Sequence, residues 1–153
     1  MAKQLKLDFD VKGKNTLDYL FEGMTPKKIR NKFSGMDITR KIIFLEDALE
    51  QVNNPEVKKA INVSLGESCI KISSLLGYGS ECDRNRMEYL LKAIKAYENA
   101  GFYTGTVSER KRLYGLYQYA QNICLSNCML KEAVSILEKM PTLGKSCGII
   151  KST

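Results

Sequence analysis

What most constrains this chain is a succession of segments in which apolar residues recur at every third or fourth position, each bounded by capping residues, prolines or glycines. That spacing lines one face of a helix and does not fit the alternation of a half-buried strand. Ile38, Ile42, Leu45, Leu49 and Val52 form one such face, with Asp37 placed to cap it. Asn54 and Pro55 open a second helix on Val57, Ile61, Leu65, Ser68, Ile72 and Leu75, for which Gly77 supplies a left-handed exit. Asp83 begins a third, with Met87, Leu90, Leu91, Ile94 and Tyr97 directed inward, and it stops near Gly101. Thr106 and Glu109 have capping-box spacing and open a fourth on Leu113, Leu116, Tyr117, Ala120, Ile123 and Cys124. A last helix runs from Leu130 to Met140, halted by Pro141, and a short basic one runs from Pro26 to Phe33 behind a Thr25 cap. The expectation is an all-α protein of five or six helices, either an antiparallel bundle or a short helical-hairpin repeat.

Three domains of organisation follow: an extended interaction arm over residues 1–24, a helical domain over 25–141 and a flexible tail over 142–153. The 153-residue length suits a single core without staples. No apolar run approaches a membrane span, and the lysine at position 3 is followed by no apolar export signal, so membrane association is not expected. Five cysteines, an odd number at irregular spacing, fit a reducing compartment, and the expected location is cytoplasmic.

The chain contains no histidine, the side chain most used for acid-base chemistry near neutral pH and the commonest metal ligand. Glu46 with Asp47 and Glu81 with Asp83 are the nearest acidic pairs, and helix faces and starts account for them. Cys124 and Cys128 lie one turn apart without a matching second pair. Gly144-Lys145-Ser146 lacks the earlier glycine of a phosphate-binding loop, since position 139 is lysine. These residues predict a protein without catalytic activity, cofactor or metal.

The arm carries the sharpest signal. Gln4-Leu5-Lys6-Leu7-Asp8-Phe9 resembles the hexapeptide with which many bacterial and phage proteins bind the DNA polymerase sliding clamp, and it matches at all four defining positions, Gln4, Leu5, Leu7 and Phe9. The resemblance covers six residues. It implies that Gln4 enters a small polar pocket while Leu7 and Phe9 fill a hydrophobic one, as an extended peptide with an amide at its rim would do. A second cluster, Thr16 to Phe21, is similar to the acidic-hydrophobic clamp-binding tails of phage proteins, with Leu17, Tyr19, Leu20 and Phe21 as its partner-binding residues, and it fits the first turn of an amphipathic helix equally well. The alternative is an arm that folds back on the helices.

The net charge of +7 attracts polyanions weakly. Lys27, Lys28, Arg30 and Lys32 cluster in the short basic segment, and Arg110, Lys111 and Arg112 sit in the first turn of the fourth helix, where the macrodipole disfavours cations. A phosphate backbone would account for charge so placed, with DNA or RNA as partner and Tyr114 and Tyr119 near by for base stacking. Leu45 to Leu49, Leu91 to Ile94 and Lys131 to Val134 recur at intervals of roughly forty residues, and the segment from Leu130 to Pro141 resembles the first helix of a tetratricopeptide repeat, though its spacing exceeds that family's period. The functional expectation is a non-catalytic adaptor whose arm binds a protein partner, the sliding clamp foremost. The alternatives are a basic nucleic-acid-binding protein and an assembly component of a larger, phage-like complex.

Overall fold

The computed structural model describes residues 16–151. Seven α-helices follow one another with no strand among the described residues: α1 Thr16–Phe21, α2 Pro26–Lys32, α3 Ile38–Gln51, α4 Pro55–Leu75, α5 Ser80–Asn99, α6 Val107–Ser126 and α7 Leu130–Ser146, with a 3₁₀ turn Phe102–Thr104 between α5 and α6. The protein is all-α. It forms two compact units whose boundary, between Leu65 and Gly66, falls inside α4.

In the first unit the cores of α1, α2 and α3 are Leu17, Phe21, Ile29, Ile42, Leu45 and Ala48, all buried. Phe33 and Phe44 stand 5.2 Å apart, and Phe21 lies 6.0 and 6.2 Å from them, a tilted aromatic trio. Residues 16–21, expected within an extended arm, are therefore helical and part of the core. The short helix is held by its two buried anchors and by Asp18, whose carboxylate accepts the amides of Asn53 and Asn54 at 3.0 and 3.3 Å just ahead of α4. Thr25 caps α2 by accepting from the Lys28 amide, Asp37 caps α3 by accepting from Thr39 and Arg40, and Asn54 accepts from Glu56 ahead of Pro55.

The second unit is built on Leu90, Ala93, Ile94, Tyr97, Leu113, Leu116, Tyr117, Ala120 and Cys124 of α5 and α6, joined by Ala133, Ile136 and Leu143 of α7. α6 opens with the reciprocal capping box of Thr106 and Glu109. Gly66 lets α4 approach Tyr97 so closely that a Cβ would lie 2.5 Å from that ring, which is itself stacked on Phe102 at 4.6 Å.

Three details differ from the sequence expectation. α4 ends without a left-handed Gly77; the residues of positive φ near by begin with Gly79, which precedes α5. The guanidinium of Arg86 does the capping instead, donating to the carbonyls of Ser73 (3.1 Å), Leu76 (2.9 Å) and Gly77 (2.8 Å). α5 starts at Ser80, one turn before Asp83, and Leu91 of its expected inner face is exposed. Finally, Pro141 does not stop α7, which continues to Ser146 in place of the expected tail. Proline denies an amide to the carbonyl of Leu137 on an exposed turn, while Leu143, Gly144 and Cys147 beyond it are buried and hold the helix together.

Candidate functional site

Gln4, Leu5, Leu7 and Phe9 lie outside the described residues. Of the second cluster, Leu17 and Phe21 are core residues, Leu20 is half-buried, and Tyr19 alone stands exposed. A partner docking on all four would have to unpack α1, because the side chains that make the segment apolar are those that fix it to the first unit.

The basic residues divide into two groups by what they touch. Lys27, Lys28, Arg30 and Lys32 are all exposed on α2, a two-turn helix without an acidic residue. The α6 group has an internal explanation. Arg110 reaches across to the carbonyl of Ser146 in the last turn of α7, where the helix dipole is negative, and its Nε also faces the Thr106 carbonyl at 3.4 Å. Arg112 lies over the Tyr97 and Phe102 rings, 5.3 and 5.7 Å from their centroids, donates to the Tyr97 hydroxyl at 3.0 Å, and pairs with Glu67 at 3.5 Å. Placing cations at the start of α6 thus needs no phosphate, and Lys111 alone of the three projects without such a contact among the described residues. Tyr114, expected at the surface, is buried against Gly144, where a Cβ would come within 2.8 Å of its ring. Tyr119 is exposed.

The second unit also holds a groove of about 270 Å³ among α5, α6 and α7, floored by Leu91, Ile94, Tyr117 and Ile136 and rimmed by Lys131, Glu132, Ser135 and Lys139. Its wall is a fixed polar chain: the buried Tyr117 hydroxyl donates to Glu98 at 2.8 Å, and Lys139 pairs with the same carboxylate at 3.0 Å. Burial, reinforced by the Glu98 carboxylate, drives the Tyr117 pKa far above the usual phenolic value, so the hydroxyl stays protonated and keeps its donation to Glu98. Burial also raises the thiol pKa of Cys124, with Glu132 adding to it, which makes that sulfur a packing group. Such a groove offers shape, the ammonium groups of Lys131 and Lys139 and the carboxylate of Glu132. Sequence reading missed it because its lining comes from three helices, and only the unusual exposure of Leu91 on an otherwise inward face marks it.

No group of three or more cysteine, aspartate or glutamate residues suited to a metal ion occurs among the described residues, and no described helix is long and apolar enough to cross a membrane. No protein family, curated protein or solved structure matches this chain.

Proposed function

We propose that this protein is a non-catalytic adaptor that engages the DNA polymerase sliding clamp through Gln4, Leu5, Leu7 and Phe9. The observation that carries the reading is the match of this hexapeptide at all four defining positions, only six residues ahead of a helix whose Leu17 and Phe21 are locked in the core. Residues 10–15 span at most about 20 Å when extended. A clamp held by the hexapeptide would therefore sit beside the first unit, leaving the helical body to present its surfaces to another factor. The test is surface plasmon resonance of the full chain against a bacterial sliding clamp. The Gln4→Ala, Phe9→Ala double variant is expected to lose at least about tenfold in affinity, as truncated anchor residues do. Equal binding by parent and variant overturns the reading.

A second reading, nucleic-acid binding, is favoured by one observation: Lys27, Lys28, Arg30 and Lys32 are exposed together on an acid-free helix. It requires DNA or RNA affinity that falls by a log-log slope of roughly 0.7–0.9 per phosphate neutralised as salt rises. Salt-independent binding, or none, removes it.

A further inference from the structure

α7 has a second apolar face that its own unit leaves uncovered. Ala133, Ile136, Leu143 and Gly144 are buried against the unit. About a quarter-turn round the helix, Leu130 is 65% exposed, Val134 52% and Leu137 48%, and Pro141 is exposed as well. These positions, i, i+4, i+7 and i+11, fall within about 60° of one another and form a single straight seam. The seam ends where it does because the next position in the series, Gly144, is covered by Ile150 of the following turn, whose Cδ1 would lie 2.6 Å from a Cβ at that site.

The flanks of the seam are unequal. One carries Lys131 and Glu138, seven residues apart, both exposed and neither in an ion pair among the described residues. The other flank carries Ala133 and Met140, which are uncharged. A partner helix running parallel would set each charged flank against an uncharged one. An antiparallel copy of the same helix does otherwise. With Val134 against Leu137 of the partner subunit and Leu130 against Pro141 of the partner subunit, coiled-coil geometry brings like flanks together. Lys131 then meets Glu138 of the partner subunit and the two-fold axis repeats the pair, while the uncharged flank, where Ala133 is buried against its own unit, contributes no contact to the partner.

We infer that this face of α7 is an isologous interface on which a second copy of the chain docks antiparallel, selected by the paired Lys131 and Glu138 charges. Four apolar side chains per copy cover less than the roughly 800 Å² per partner of a standard stable interface, so the dimer is weak and concentration-dependent, in the range of about 10–100 µM. The experiment is sedimentation equilibrium of the full chain over a concentration series, at low salt and under reducing conditions. Lys131→Glu and Glu138→Lys each place like charges opposite one another twice and are expected to weaken the dimer about tenfold, whereas the double variant restores it. Both positions are exposed, and circular dichroism of each variant checks that the helices persist. A parent chain that stays monomeric to about 1 mM overturns the inference. So does a dimer that either single reversal leaves unchanged, or one that the charge swap fails to restore.

Discussion

Arg86 shows how one side chain replaces a local signal. Its guanidinium occupies the space beyond the last turn of α4, and its donors meet the carbonyls of Ser73, Leu76 and Gly77 while Asp83 accepts from Nη1. Asp83 also accepts from the Asn127 amide at 3.0 Å, so the same cluster ties the start of α5 to the end of α6. Arg86 is buried, and a side chain of similar volume without donors would leave three carbonyls and a carboxylate short of partners. Arg86→Met is therefore expected to cost about 3–5 kcal/mol, read from the urea midpoint and slope. Lysine brings a compact ammonium where a planar fork is needed, so Arg86→Lys should recover less than half of that loss. A loss below about 1 kcal/mol for Arg86→Met would show that water satisfies these carbonyls equally well.

At the scale of elements, α1 is the place where reading from sequence and folding part company. Six residues cannot display a helical period, and a helix so short has no stability of its own, so nothing local distinguishes Thr16–Phe21 from an apolar arm. Only the tertiary partners do, Phe33 and Phe44 across from Phe21 and the amides ahead of α4 beneath Asp18. The caps of α2, α3, α4 and α6 were legible because each is settled within four residues of chain. Pro141 misleads for the opposite reason, since its local veto on helix is outweighed by Leu143 and Cys147, whose burial the sequence does not announce. The groove and the outer seam of α7 needed both the packing and the exposure. For α1 the expected outcome is specific: Phe21→Ala should destabilise the protein by about 3–5 kcal/mol, as loss of a fully buried aromatic does. Tyr19→Ala, at an exposed position of the same helix, should change stability by less than about 1 kcal/mol. Thermal and urea unfolding of the two variants separates a core helix from a docking arm, because an arm would tolerate both.

For the molecule as a whole, the tyrosines of the second unit couple folding to pH. Tyr97 and Tyr117 are buried, and burial is the main cause that raises both pKa values above the usual 10, with Arg112 working against the shift at Tyr97 and Glu98 adding to it at Tyr117. In the unfolded chain both phenols ionise near pH 10. The folded state then holds more protons than the unfolded one, so stability is fully present below about pH 10 and is lost as the pH climbs from there towards the folded values. Each phenol that remains protonated on folding contributes a slope of up to about 1.4 kcal/mol per pH unit. The variant isolates the tyrosine part. Tyr117→Phe removes the hydrogen bond to Glu98 and lowers stability near neutral pH, but it also removes a group that titrates on unfolding, so its deficit against the parent should shrink between about pH 10 and 11.5. Urea midpoints of the two proteins across that window measure the difference directly, and a deficit that stays constant would mean that Tyr117 ionises in the folded protein as readily as in the unfolded chain.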